Sequence, residues 1–426
     1  MVQGSVHRLL VLAVFLGCNA PSGREPLVLR IAMWGPLGEL APTRSESALA
    51  SVAQPWVFER LVTVDAEGQL KPALAARVDR LSVDRMRVEL RRDVTFSDGA
   101  PITEADTMRS LESGGLKVTQ SDGALFVESS QRGLPVDALL LEARVYRESG
   151  GKFIGSGPFM VASQTETEIR LTRRTPRAGK INEVRVVAYA TPRDAFAHTL
   201  KGDTNLIIDL EPRWLEFFRG VPSFQVIRRA TRSTDAILFN RSLLRTERLQ
   251  LARALASQRV RDLAYGPAEC AESREVDDAD PGLGPGPVLR VLSWGPFERL
   301  GLAVHRALGD RAGDLSHLSP QETVSRMKSA DFDLVMARPI RWPRSSMALI
   351  WRTGSANNII GYSNPAVDHA IEAGDWDAAE AALQEDPPAA FVCTRDHVAV
   401  LDVRIKNPSL GPYDVLEALP DWEVAQ

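Results

Sequence analysis

From residue 27 onward the chain alternates short apolar runs with amphipathic stretches. Residues 27–33 are apolar and stop at Trp34-Gly35-Pro36, which predicts a buried strand entering a loop. The same phrase returns far downstream: LRIAMWGP at 29–36 is echoed by LRVLSWGP at 289–296. Behind the first strand, Val52, Trp56 and Leu61 have helical spacing. At 83–91 apolar and charged residues alternate, which predicts a strand wet on one face. Ser97-Asp98-Gly99 reads as a tight turn. Thr103 then opens a helix over 101–111, its hydroxyl suited to orphan backbone N–H groups and Glu104 and Asp106 to the positive helix end. Further strands are predicted at 117–127, 168–173, 184–190, 206–210 and 236–240. Helices are predicted at 193–200, ended by Gly202, and at 247–264, on the face Leu249, Ala252, Leu255, Ala256, Val260 and Leu263.

At 266–287 the pattern fails. Acidic residues and alternating Pro and Gly predict a loop or linker. Beyond it come a strand at 289–292, helices at 297–308, 367–373 and 376–383, and strands at 333–336, 389–392 and 398–401. Each half therefore starts with a strand, a Trp-Gly-Pro loop and a helix. In open α/β sheets the ligand crevice lies outside the carboxyl ends of the strands. Two lobes facing each other would thus each present a similar lip, unless the echo is a coincidence of two short buried strands.

Composition narrows the classes. The 426 residues are 44% hydrophobic and 25% charged, ordinary for a globular protein of two or three domains. With 51 Lys and Arg against 55 Asp and Glu the chain lacks the basic excess of a nucleic-acid binder. The apolar run LLVLAVFLGC near the N-terminus is too short to span a bilayer and has the length of a secretory core. Its Gly17-Cys18 ending resembles a bacterial lipobox, although Phe15 and Leu16 depart from the usual pattern. The expectation is a signal segment over 1–18, lipidation at Cys18 and a tether over 19–26. Cys270 and Cys393 remain, and an oxidising compartment leaves their pairing open. The scattered His residues predict no metal site, and Ser156 with His198 lacks the context of a catalytic elbow.

The order of motifs resembles the family 5 solute-binding proteins, extracytoplasmic receptors of peptide and nickel ABC importers. Val57–Val62, Gly68 and Pro72-Ala73-Leu74-Ala75 are similar to its opening pattern. LRRDVTFSDGAPITEAD at 90–106 is similar to its signature "LRkgVkFhDGtPlTAeDV". GSGPF at 155–159, ILFN at 237–240, the helix at 250–256 and GYSNPAVD at 361–368 follow in family order. The resemblance implies a bilobal α/β periplasmic-binding-protein-like fold of class II, cluster C type, two α/β lobes around a ligand cleft with an extra subdomain in the first. The implied division is lobe I at 27–60, 153–240 and 397–426, its subdomain at 61–152, and lobe II at 241–396. The chain is shorter than the family pattern after its 101–111 helix, and it lacks the aromatic "YWgG".

The sharpest departure is RWPRS at 341–345. Peptide receptors often carry "DYpDP" there, and its first Asp pairs with the ligand's ammonium; here Arg341 and Arg344 stand at the acidic positions. Two unit charges about 4 Å apart interact by roughly 4 kcal/mol at an effective dielectric of 20, so reversal matters. Either the ligand is anionic or lacks a free amine, or these arginines face solvent on a loop. The expected ligand-binding set is Trp34, Asn240, Trp294, Arg341, Trp342, Arg344, Trp351 and Asn357. The resemblance implies a non-enzymatic, extracytoplasmic, lipid-anchored monomer. It would need no cofactor, take a peptide or other small solute, and deliver it to an ABC permease and its ATPase, with no nucleic-acid partner. A sensor, or a relative whose cleft no longer binds, is the alternative.

Overall fold

The computed structural model describes residues 27–43, 48–65, 67–131, 133–208, 210, 212–229, 234–267, 270, 283–339, 343–411 and 414–425. The expected signal segment, Cys18 and the tether lie outside the described residues, as does most of the 266–287 loop.

Val28–Trp34 forms the middle strand of a seven-stranded sheet, in the order Phe159–Gln164, Glu168–Arg173, Glu183–Tyr189, Val28–Trp34, Leu206–Ile208, His397–Asp402, Phe224–Arg229. Leu29 and Ile31 enter one hydrophobic core, while Ala32 enters another with Ile207 and Val400. A strand buried on both faces must be apolar throughout, which is why this one reads as a continuous run. Leu289–Trp294 is the second strand of a five-stranded sheet, ordered Ala312–Leu318, Leu289–Trp294, Leu334–Ala337, Thr234–Phe239, Ala389–Thr394. Val291 and Leu292 feed its two opposite cores. Both echoed strands run parallel to both of their neighbours. Both leave their sheets through a glycine in the left-handed region, Gly35 at φ +103° and Gly295 at φ +44°.

The chain passes between the two sheets along a paired ribbon. Phe224–Arg229 pairs antiparallel with His397–Asp402 in the first sheet, Arg229 opposite His397. Thr234–Phe239 pairs antiparallel with Ala389–Thr394 in the second, Thr234 opposite Thr394. Ala236 lies opposite Ala337 and Ile208 opposite Ala399. The ribbon therefore enters each sheet at the carboxyl edge of its parallel strands, and both carboxyl edges border the crossing.

An antiparallel subdomain is inserted in the first lobe. Its four strands are ordered Ala75–Arg80, Arg85–Leu90, Ala124–Ser129, Leu116–Ser121. The helix Glu104–Ser113 lies alongside with the expected start: the Thr103 hydroxyl accepts from Asp106 N at 3.1 Å, and Asp106 returns a bond to Thr103 N at 3.3 Å. The subdomain core runs from Leu61 to Val145. Arg60 and Arg144 stand just at its entry and inside its exit, and both bind Asp414, at 2.7 and 3.3 Å. Burial and the facing Arg60 pull Arg144 down to about 10. Burial alone would raise Asp414, yet the two guanidiniums outweigh it and hold the carboxyl below its ordinary value. Leu134 and Ala138 from the subdomain join the core of the second lobe beside Met347, Trp351 and Ile371, giving the lobes a second contact.

Some expected elements change. The 51–62 stretch holds only the short helices Ala48–Ser51 and Gln54–Val57 before the chain turns into a strand at Val62. The expected helix at 247–264 is two helices, Arg245–Leu255 and Gln258–Tyr265, because Ser257 is extended (φ −67°, ψ 156°) between them. The sequence reading missed the strands Phe224–Arg229 and Ala312–Leu318 and the helix Pro320–Lys328. That helix carries a legible start, the Ser319 and Glu322 capping box.

Two predictions follow from packing and charge. A Cβ at Gly155 would lie 1.9 Å from Val57 O, and one at Gly157 2.2 Å from Trp56 O. Gly155→Ala and Gly157→Ala are each expected to lose about 3 kcal/mol in denaturant titrations, the upper part of the overpacking range, whereas Gly220→Ala, with open space around it, stays within about 0.5 kcal/mol. Burial, then repulsion from Asp414, pushes the Glu417 carboxyl up to about 7. Its folded value exceeds its unfolded one, so its contribution is fully present below the ordinary value of 4.5 and is lost as pH rises through about 7. Glu417→Gln should therefore gain on the order of 2 kcal/mol over wild type between pH 5 and pH 8, read from paired denaturation curves.

Candidate functional site

The expected ligand-binding residues scatter once folded. Trp34 and Trp294 do end the two echoed strands, at the carboxyl edges beside the crossing. Trp34 packs partly buried near Tyr189, and the Trp294 indole N–H donates to Met336 O at 2.7 Å. Three others are corrections. Trp351 is 1% exposed and sits in the core with Tyr362 and Phe391 edge-on, because its helix turns that face inward. The Asn240 amide is used by the fold: it donates to Ala330 O and Phe332 O and accepts from Ser242 N. Arg344 pairs with Asp377 at 2.6 Å and Glu380 at 3.4 Å on the helix Trp376–Glu385, so its charge is already met. Asn357 is exposed in a turn, while Asn358 binds backbone of Arg352 and Tyr362. Arg341 and Trp342 lie outside the described residues. Ser156 lies beneath the Val57 crossing, and His198 is engaged with Asp203 at 2.8 Å on a separate helix, so no nucleophile–base pair is built from them.

What the carboxyl edge of the second sheet gathers instead is a cluster that the sequence reading did not single out. Asp235, 1% exposed, is the second residue of the strand Thr234–Phe239. Its Oδ1 accepts from Arg338 Nε at 2.6 Å and its Oδ2 from the Tyr265 hydroxyl at 2.9 Å. Arg395 Nε lies 3.3 Å from the same Oδ2. Arg338 follows directly after the strand Leu334–Ala337, and Arg395 occupies the two-residue link between Thr394 and His397. Burial, with Asp235 beside it, pushes the Tyr265 hydroxyl well above its ordinary value, so it remains a donor. The Arg395 guanidinium lies over the Tyr265 ring and that of Arg338 over Phe297. Cys393, opposite Asp235, is disulfide-bonded to Cys270, so the bridge ties the loop region to the ribbon beside this cluster. Thr234 and Thr394 join hydroxyls across the ribbon at 2.8 Å.

The facing edge of the first sheet is aromatic. Tyr189 ends a parallel strand next to Trp34 and stacks on His198 at 4.6 Å. Among the described residues no group of three or more His, Cys, Asp or Glu is placed to hold a metal ion, and no helix is long and apolar enough to cross a membrane. The faint sequence signals for the cluster were an acidic residue inside an apolar strand, TDAILF, and Arg395-Asp396 interrupting two apolar runs.

No protein-family model and no curated protein sequence matches the chain. Solved structures do. NikA from Staphylococcus aureus, in complex with Ni(L-His)2, superposes with a TM-score of 0.75 at 12% identity over 93% of this chain and 99% of that one. The oligopeptide-binding protein AppA from Bacillus subtilis, in complex with a nonapeptide, gives 0.75 at 14% identity over 94% and 99%. The ABC transporter substrate-binding protein CtaP from Listeria monocytogenes gives 0.71 at 17% identity over 95% and 100%. The chain thus has the bilobal fold of these binding proteins over nearly its whole length, in agreement with the resemblance in its motifs.

Asp235→Asn removes the counter-charge of two partly buried guanidiniums and is expected to cost about 3 kcal/mol or more in denaturant titrations. Cys270→Ser with Cys393→Ser opens a loop closed across 123 residues, for a loss of about 2–5 kcal/mol by the same measurement.

Proposed function

We propose that the protein is the extracytoplasmic, lipid-anchored solute-binding component of an ABC import system, holding a peptide-like or other small solute between its lobes for a permease and its ATPase. The observation that carries this reading is the placement of both carboxyl edges, each with its echoed Trp, beside one two-stranded crossing. Ligands of open α/β sheets bind outside such edges. A two-strand crossing lets one lobe turn against the other, and a solute touching both edges favours the closed arrangement by its differential affinity for it. The Cys270–Cys393 bridge supports an oxidising compartment, as the N-terminal Gly17-Cys18 motif does. No chemical step is required of the site; its task is capture and release.

Thermal unfolding of the purified chain against a matched panel tests the reading. The panel is peptides with free amino termini, the same peptides acetylated, and small polycarboxylates. A ligand at 100 times its Kd adds about 2.7 kcal/mol to the native state, which raises Tm by several degrees. At least one panel class is expected to do so in a saturable way. A flat response across the panel, with no small molecule released when protein taken from its native envelope is denatured, contradicts solute binding.

A further inference from the structure

We propose that the inserted subdomain is a latch: its residues 133–138 dock into the second lobe and hold the two lobes together without solute, so that solute enters and leaves only as this contact parts. The inference rests on the solute-binding reading and adds a conformational device to it.

The helix Val136–Glu142 serves two cores at once. Val136, Leu140 and Leu141 belong to the subdomain core. Ala138, 0% exposed, and the preceding Leu134, 6% exposed, belong instead to the core of the second lobe. Leu139 packs partly buried against both. The helix is pinned to its own sheet, because Arg80 donates to Asp137 at 2.6 Å and Val136 N donates to Val83 O at 3.0 Å. The subdomain in turn is fixed to the first lobe. Arg174 of that lobe donates to Thr95 O and Phe96 O, and Asp414 holds Arg60 and Arg144. Whatever the helix docks on is therefore tied to the first lobe at a place separate from the ribbon.

The two surfaces approach closely through glycines. A Cβ at Gly133, φ +74°, would lie 2.4 Å from Glu372 Cγ, and one at Gly374, φ +70°, 3.1 Å from Val83 Cγ2. Arg352 holds Glu372 in place at 2.8 Å. Yet the seam is not finished like a permanent core. The turn Arg344–Ser346 lies against the helix Val136–Glu142, and the Ser346 hydroxyl, 0% exposed, has no hydrogen-bond partner among the described residues. The buried Nε of Arg352 has none either, and Gln131 Nε2 reaches Thr353 O only at 3.5 Å. Orphaned polar atoms offset part of what Leu134 and Ala138 gain by burial, and water would satisfy them once the seam parts. A small apolar centre with an unfinished polar margin suits a contact that opens and re-forms, as interfaces within one chain commonly do. A chain already closed at rest gives up little affinity to selecting the closed arrangement, and the cost of opening falls on the rates of entry and exit.

The test is small-angle X-ray scattering of the purified full chain without solute. The protein is first refolded from denaturant with its disulfide intact, so that no bound solute is carried over. Leu134→Ser and Ala138→Glu weaken the seam, whereas Leu140→Ala weakens only the subdomain's own core and serves as the control. Both seam variants are expected to raise the radius of gyration by about 5% or more over wild type, itself near 22 Å for a compact chain of this length, while Leu140→Ala lowers Tm and leaves it unmoved. Val83→Cys with Gly374→Cys places two thiols within disulfide reach across the seam. That crosslink should leave the wild-type radius unchanged and return Leu134→Ser to it. Seam variants that scatter as wild type overturn the latch. So does a control that expands as much as they do. A crosslinked chain more compact than wild type shows the lobes apart at rest and overturns it too, even where the seam variants fail to fold. Since no solute enters these measurements, such failures leave the solute-binding reading standing, and the thermal panel above decides that reading separately.

Discussion

The constraint on which the molecule turns is the burial of Asp235 where a two-stranded ribbon leaves one sheet for the other. A carboxylate that is 1% exposed must be paired, and its partners arrive from three separate places: Arg338 from the end of a parallel strand, Tyr265 from the end of a helix, and Arg395 from the interlobe link. Each partner fixes one element relative to the others. The strand ends become the floor of the crossing, the helix Gln258–Tyr265 is held against it, and the Cys270–Cys393 bridge secures the same edge covalently. Such an ionic node contributes less net stability than apolar packing of equal volume would, and its value lies in specifying one arrangement.

The rest of the architecture is arranged around that edge. Both sheets bury their central strands on two faces, which accounts for the uninterrupted apolar runs, and both orient their parallel strands so that the carboxyl ends meet the ribbon. The subdomain is tied at its entrance and exit by Asp414 between Arg60 and Arg144, and it reaches the second lobe through Leu134 and Ala138. The lobes are therefore joined by the ribbon on one count and by an apolar contact on another.

Much of the fold was legible because it rests on local physics. The apolar strands, the Thr103 helix start, the Gly202 helix stop and the Trp-Gly-Pro exits each follow from a few adjacent residues, and the LRIAMWGP and LRVLSWGP echo marks two strands that each run parallel to both neighbours in two different sheets. The site was far less legible. Trp351 and Trp294 look alike in sequence; only packing shows that one is core and the other sits at a sheet edge. Arg344 has acidic partners on a helix thirty-odd residues away, a pairing no local pattern displays. Asp235, Tyr265, Arg338 and Arg395 are dispersed over the second lobe and its link, and only the sheet register brings them together. The strand Ala312–Leu318 was missed for a different reason: as an edge strand it is only partly buried, and its sequence AGDLSHL lacks a continuous apolar run.

A crystal structure of the complex with a solute that stabilises the chain tests the central claim most directly. The account predicts the ligand between the carboxyl edges of the two sheets, beside the two-stranded crossing and with Trp34 and Trp294 on the walls around it. A ligand seated away from the ribbon and from both carboxyl edges would contradict it.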